Sequence, residues 1–200
     1  EMVKTNFNFG YVDPEITYRS LGIQFAYTGI DMGSSFGNSI HDTNQSSIFT
    51  NLVYNSIIGN INNKIKTGIS ISYDEYDEYV NNLGFNDFDI SRIEKSVGAY
   101  FEYNYDNSDK INLSAGIRFD NHNKIGNFIS PRFHMNYMVL PKSTIKFSFG
   151  KATRLANIFS ENQKLFYSSR EIIFTENSLP SDFSSMKADQ AWNYGVSIIN

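Results

Sequence analysis

Charged side chains and an imidazole occur at alternate positions in the second half of the chain. Arg118 and Asp120 are two residues apart, as are Arg132 and His134. In an extended segment, residues two apart lie on the same side, so each pair would share one face of a strand. Buried charges must be paired or hydrated. We therefore predict a wet, ionic surface with these candidate residues: Glu102, Arg118, Asp120, Arg132, His134, Lys146 and Arg154.

Histidines offer little further chemistry. His41, His122 and His134 are far apart in sequence and form no metal-binding spacing. His134 and Ser148 could be neighbours on adjacent strands, but we favour an accidental pairing. It also contains no G-x-S-x-G, phosphate-binding or dinucleotide-binding motif. We predict that the chain is not an enzyme and that it has no catalytic, metal or cofactor-binding residue.

An acidic run could bind a hard divalent cation, because carboxylates are suitable calcium ligands. The run lacks the glycine and the fixed spacing of a calcium-binding loop. We therefore favour a charged, solvated loop. The carboxylates concerned are Asp74, Glu75, Asp77 and Glu78, followed by Asp87 and Asp89.

The elements that would position these side chains are strands of two-residue period. Residues 96–105, 111–120, 132–139 and 144–150 alternate so that one face is apolar and the other carries charges and glycines. A period of two predicts strands. A charged face opposite an uninterrupted apolar face is typical of a transmembrane barrel, whose lumen is wet. On the apolar face, Arg19 and Lys151 break the alternation only near strand ends.

The whole chain is predicted to be all-β, with nine antiparallel strands forming part of a transmembrane barrel. Short turns are predicted on one rim, at 12–14, 59–63, 106–109 and 140–143, and long extracellular loops on the other, at 32–46, 79–95, 121–127 and 155–189. Tyr73, Tyr76 and Tyr79 would form an outer aromatic rim, and Tyr103 and Tyr105 an inner one. The strands are predicted at 3–11, 16–31, 47–58, 64–78, 96–105, 110–120, 128–139, 144–154 and 190–199.

Composition limits the other possibilities. The net charge is −4 and the chain has no cysteine, which argues against a nucleic-acid partner and excludes a disulfide scaffold. Mean hydropathy is −0.36, and no apolar run approaches the ~20 residues of a membrane helix. Both ends lie in or beside predicted strands, so we expect the 200 residues to be part of one barrel domain within a longer chain.

Motifs in residues 96–200 resemble those of TonB-dependent outer-membrane receptors, particularly the Bacteroidetes type. Ile129-Ser130-Pro131-Arg132-Phe133 is similar to a strand opening of that family. An arginine and an Ala-Asn pair follow at Arg154 and Ala156-Asn157, and a Ser-Ser-Arg at 168–170. Residues 186–195, MKADQAWNYG, resemble the family's L-K-P-E-x-x-W-N-Y-G, with Met, Ala and Asp replacing Leu, Pro and Glu.

The resemblance implies a 22-stranded barrel in the bacterial outer membrane. An N-terminal plug domain would fill its lumen, and the TonB complex would energise uptake of a scarce nutrient such as an iron-siderophore or a cobalamin-like compound. The implied partners are outer-membrane lipid and lipopolysaccharide, the plug, TonB and the small-molecule nutrient, with no nucleic acid. Where the eighth strand enters the longest loop, we expect plug or ligand contacts from Arg154, Asn157, Glu161 and Asn162, and from Arg170 further along.

Three other classes stay open at this point. A passive porin or fatty-acid channel would share the alternation but needs no plug. An outer-membrane enzyme would require a catalytic constellation. A soluble β-rich adhesin or sugar-binding module would require a second sheet against the apolar face.

Overall fold

The computed structural model describes residues 2–12, 19–36, 39–81, 88–107, 110–155 and 188–199. They form nine strands, which confirms the predicted number. The strands are β1 (Met2–Val12), β2 (Ser20–Phe36), β3 (Ser39–Ile57), β4 (Asn63–Asn81), β5 (Phe88–Asn107), β6 (Ile111–His122), β7 (Gly126–Leu140), β8 (Ser143–Arg154) and β9 (Asp189–Ile199). The described part of the chain has no helix long and apolar enough to cross a membrane.

Each strand pairs antiparallel with the next one in sequence, so the sheet has the order β1 to β9. The register is continuous from β1 to β7 and again from β8 to β9, with one irregularity between Met138 and Leu140. Because the register is continuous, the two-residue alternation of each strand aligns with that of its neighbour. The sheet therefore has one apolar and one polar face along its whole width.

The apolar face is open to its surroundings, and we call it the apolar band. Its side chains remain about half exposed, for example Ile71 at 51%, Phe101 at 46% and Ile117 at 52%. Large, uncovered apolar surfaces are rare on soluble monomers. In contrast, the buried residues of the described chain are nearly all polar, and Val80 is the single buried hydrophobic residue among them. The described residues therefore place their large apolar side chains on an open face instead of in a buried core.

Strands β2 to β5 are longer than predicted, and this corrects two of the expected long loops. β2 continues to Phe36 and β3 begins at Ser39, so most of 32–46 is strand. β4 continues to Asn81 and β5 begins at Phe88, which makes most of 79–95 strand as well. These segments carry polar residues on both faces, so they lack the regular apolar alternation by which strands were predicted, yet their backbones still pair. At 19 residues, β3 and β4 each exceed the 9–11 residues that cross a bilayer.

The predicted loop at 121–127 is also wrong, because residues 123–125 form a tight turn between β6 and β7. Gly126 has a φ of 72° at the end of this turn, and Gly59 has a φ of 73° in the β3–β4 turn. Left-handed backbone at these sites favours glycine. The remaining predicted long loop, 155–189, lies almost entirely outside the described residues.

Candidate functional site

The polar face carries every described member of the predicted site. Strand pairing places Gly98 opposite Asp120, Tyr100 opposite Arg118, and Glu102 opposite Gly116. Directly opposed residues lie on the same face of an antiparallel pair. The face continues across β7 and β8, so the sheet brings together Glu102, Arg118, Asp120, Arg132, His134, Lys146 and Arg154. The other predicted residues, Asn157, Glu161, Asn162 and Arg170, lie outside the described residues.

Arg118 is the centre of this face. Its Nε donates to both Asp120 oxygens, at 2.9 and 2.8 Å, and its Nη2 donates to Asp120 Oδ1 at 2.6 Å. The same Nη2 donates to Ser70 Oγ at 2.6 Å, two strands away on β4. The Asp120 side chain is only 4% exposed, whereas Arg118 is 38% exposed. A bidentate pair of this kind fixes the guanidinium in one orientation.

Tyr100 lies beside Arg118 and repeats its geometry one strand earlier. Its hydroxyl donates to Asn51 on β3 at 3.2 Å, and its ring centroid is 6.0 Å from the Arg118 guanidinium carbon. The side chain passes over Gly68 on β4, where an added Cβ would lie 2.5 Å from the hydroxyl oxygen. Because Gly68 has no side chain, the Tyr100 side chain can cross β4 at this point.

Arg132 continues the series from β7. It donates to Glu102 on β5 in an ion pair, and its path crosses Gly116 on β6, where a Cβ would lie 3.0 Å from Nε. Glu102 also accepts from Asn104 Nδ2 at 2.9 Å. In all three cases a long side chain crosses a glycine of the preceding strand and binds the strand beyond. We call this group the polar belt: Asn51, Ser70, Tyr100, Glu102, Arg118, Asp120 and Arg132.

The charged residues of the polar belt were predicted from the sequence, whereas Asn51, Ser70 and Tyr100 were not. Tyr100 and Arg132 each lie opposite a glycine, Gly68 and Gly116 respectively. A glycine paired with a large residue is the signal that could have revealed the crossing, but it is readable only once the register is known. The alternation alone does not provide that register.

The remaining predicted residues are engaged less closely. His134 lies directly opposite Ser148, and the structure contains no hydrogen bond between these two side chains. His134 and Lys146 are both exposed. Arg154 faces Asp189 at 3.5 Å, with both side chains more than half exposed, so this pair adds little stability. An open cavity of about 570 Å³ lies against the belt. Its lining combines apolar residues such as Phe101 and Ile117 with the polar residues Asn51, Lys66, Tyr100, Arg118, Arg132 and His134.

A second cluster of polar side chains, which was not predicted, also lies on the polar face. It is further along β4 and β5 than the belt, past the level at which the apolar band ends on the other face. Arg92 Nε is 2.8 Å from Glu94 Oε1, and its guanidinium carbon is 4.1 Å above the Tyr76 ring. His122 Nε2 is 3.7 Å from the other Glu94 oxygen. Burial, followed by the charges of Asp74 and Glu94, raises the pKa of the Tyr76 hydroxyl above 10.0, while Arg92 opposes this shift. Tyr76 therefore stays neutral and keeps its proton at physiological pH.

Tyr76 was predicted to lie in an outer aromatic rim with Tyr73 and Tyr79, and this prediction is wrong. Tyr76 is paired with Gln45 and Arg92, whereas Tyr73 and Tyr79 lie on the opposite face of β4. The same alternation divides the acidic run, because Asp74 and Glu78 share the polar face and Glu75 and Asp77 do not. Within the described ranges, no group of three His, Cys, Asp or Glu side chains could hold a metal ion.

Comparison with known proteins identifies the family. Residues 3–197 match the family model described as "TonB dependent receptor-like, beta-barrel". The chain belongs to this family. The match covers nearly the whole sequence, so both faces of the sheet are those of a TonB-dependent receptor barrel. A search of curated proteins finds no match.

Two solved structures show the same fold. The structure of the copper transporter OprC superposes with a TM-score of 0.67 at 11% identity, covering 98% of this chain and 35% of that one. The structure of the FpvAI–pyocin S2 complex gives a TM-score of 0.65 at 10% identity, covering 98% and 29%. The chain thus spans about a third of the length of these relatives.

Removing the Asp120 charge tests the polar belt. We expect Asp120→Asn to lower the free energy of unfolding of the intact receptor by about 1–2 kcal/mol, because hydrogen bonds to charged groups contribute this much and Arg118 is partly exposed. Asp106→Asn is the matched control, since Asp106 is less buried and its side chain forms no hydrogen bond or ion pair with any residue that the structure describes. Urea unfolding measures both variants, and equal losses would contradict a specific role of the belt.

Proposed function

We propose that this chain is the wall of an outer-membrane receptor that imports a scarce nutrient with energy supplied through TonB. The nutrient would be an iron-siderophore or a cobalamin-like compound. The observation that carries the proposal is the family match over residues 3–197, on a sheet with one exposed apolar face and one polar face. The proposed location is the bacterial outer membrane, where the apolar band would contact lipid.

The polar face would line the lumen and contact the receptor's own plug domain. The polar belt is held by bonds within the wall, so it would present a fixed ionic surface instead of mobile charges. His134 and Lys146 are exposed and, among the described residues, form no recorded side-chain hydrogen bond or ion pair, so they are free to meet the plug. Arg154, Asn157, Glu161, Asn162 and Arg170 remain proposed contacts of the plug or the nutrient.

Transport by this route involves no covalent chemistry, so the receptor would not be an enzyme. Binding to the outer segments would be followed by rearrangement of the plug, driven from the inner membrane. Of the two structural relatives, one is a copper transporter and the other is in complex with pyocin S2. Neither defines the nutrient of this chain.

Uptake by cells that produce the full-length receptor tests the proposal. Iron-loaded siderophore and cobalamin, each radiolabelled, would be supplied to cells with and without the receptor, and with and without a protonophore. We expect receptor-dependent uptake of one compound to fall to background with the protonophore, because TonB draws on the inner-membrane gradient. Uptake that survives the protonophore would instead support a passive porin. A receptor that never enters the membrane fraction would support the soluble β-module.

A further inference from the structure

Strand β5 extends well past the end of its neighbour β6, so part of one β5 edge has no strand beside it. β4 pairs with β5 from Phe88 onward, whereas β6 pairs with β5 only from Ser96. Residues 88–95 therefore have one paired edge and one edge that no described strand covers. At ~3.3 Å per residue, this open edge is about 26 Å long. We call the space between this edge and the β6–β7 turn the notch.

The backbone groups at the base of the notch are satisfied by a single side chain. Asn123 N donates to Lys95 O at 3.0 Å, and Lys95 N donates to Asn123 Oδ1 at 2.8 Å. Asn123 Nδ2 donates to Ile93 O at 2.9 Å. Asn123 thus takes the place of the next residue of a neighbouring strand, and the pairing stops there.

Beyond Ile93 the edge stays available for pairing. Both backbone groups of every second residue point to the same edge of an antiparallel strand, so those of Asp89 and Ser91 point into the notch with those of Ile93 and Lys95. Among the described residues, none forms a hydrogen bond with Asp89 or Ser91 at this edge. Neither a proline nor a bulge interrupts the segment, although such features commonly prevent pairing at exposed edges. The edge is therefore a template for a further strand.

The base of the notch is cationic. A cavity of about 450 Å³ lies there, lined by Ser91, Arg92, Ile93, Lys95, Asn123 and Lys124, with no acidic residue. Arg92 is paired with Glu94, so the two lysines set the charge that an occupant would meet. The Lys95 ammonium is 5.3 Å from the centre of the Tyr73 ring, which holds it beside the open edge.

We propose that the notch binds an extended, acidic polypeptide segment of another protein, which adds to β5 as a further strand. The row of alternating N–H and C=O groups is complementary to a polypeptide backbone, and the lysines select acidic side chains. Strand addition does not require transport or an embedded apolar band. Only the origin of the partner, outside the cell, rests on the proposed location of the receptor.

The test measures peptide binding to the full-length receptor by fluorescence anisotropy. The probe is a labelled peptide of alternating glutamate and threonine, within the usual length of a strand. We expect saturable binding, and weaker binding of the peptide in which lysine replaces glutamate. A fully N-methylated glutamate peptide keeps its charges but has no backbone donor. It should bind about tenfold more weakly, because several hydrogen bonds are lost.

Two receptor variants separate backbone pairing from charge. Ser91→Pro removes an N–H that points into the notch and should weaken binding about fivefold, whereas Ser91→Ala keeps that N–H and should bind like the wild type. Lys95→Glu combined with Lys124→Glu should reverse the preference in favour of the lysine peptide, a result that misfolding does not produce. Lys142→Glu, in the turn between β7 and β8, is the charge control and should leave the preference unchanged.

Equal binding of the N-methylated peptide would overturn strand addition and leave only attraction between charges. Absence of saturable binding would also overturn the inference. Receptor dimers that Ser91→Pro dissociates would show that a second copy fills the notch instead. Nutrient uptake is measured separately, so a receptor that imports its nutrient but binds no peptide contradicts this inference and not the proposed function.

Discussion

Replacing Ile117 with arginine should lower the free energy of unfolding of the receptor in a bilayer by about 2–3 kcal/mol. Ile117 lies within the apolar band on β6, with 52% of its surface exposed in this chain. A side chain so exposed to water would tolerate arginine within about 0.5 kcal/mol. A cation facing hydrocarbon costs roughly 2–4 kcal/mol at the midplane and less toward the interface. The same substitution therefore gives different results in the two environments.

The measurement is urea unfolding of the full-length receptor reconstituted in vesicles, followed by tryptophan fluorescence or gel mobility. Asn112→Arg is the matched control, because Asn112 is exposed on the polar face of the same strand. We expect that control to unfold like the wild type. If Ile117→Arg were equally neutral, the apolar band would not face lipid, and a soluble module with a covering sheet would be the better explanation.

The sequence was sufficient to predict β6, β7 and β8 because their two faces differ sharply. Phe119 and Ile117 alternate with Asp120 and Arg118, so each strand is recognisable by itself. The outer ends of β2 to β5 were not recognised in this way. Stretches such as Asn44-Gln45-Ser46 are polar on both sides, and their strand structure depends on pairing with distant residues.

The candidate site shows the same division between local pattern and long-range pairing. The position of Arg118 on the polar face follows from alternation. Its bond to Ser70, 48 residues earlier, follows only from the register of three strands. Tyr76 was misplaced for a related reason, because an aromatic residue near a strand end fits either a lipid rim or a polar cluster. The alternation along β4 and the pairing with Arg92 together place it on the polar face.

Gly68→Ala should be among the most damaging small substitutions in the wall, with an expected loss of about 3 kcal/mol. The added Cβ would overlap the backbone oxygen of Leu52 and lie 2.5 Å from the Tyr100 hydroxyl. Tyr100 can rotate away at the cost of its bond to Asn51, but the Leu52 carbonyl is fixed by the β3–β4 pairing. Overpacking against such a group typically costs 1–3 kcal/mol or slightly more.

Gly10→Ala is the control, because no atom lies within 4 Å of a Cβ added there. We expect that variant to match the wild type or exceed it slightly, since alanine reduces the entropy of the unfolded chain. Gly98→Ala should fall between the two, because its Cβ meets the side-chain ends of Arg118 and Asp120 and these can shift. Urea unfolding of the three receptors in vesicles gives the order directly. If Gly98→Ala lowered the free energy of unfolding as much as Gly68→Ala, the side chains of the belt would be as rigid as the backbone. If all three variants were equally stable, the close approach of Tyr100 and Leu52 to Gly68 would be contradicted.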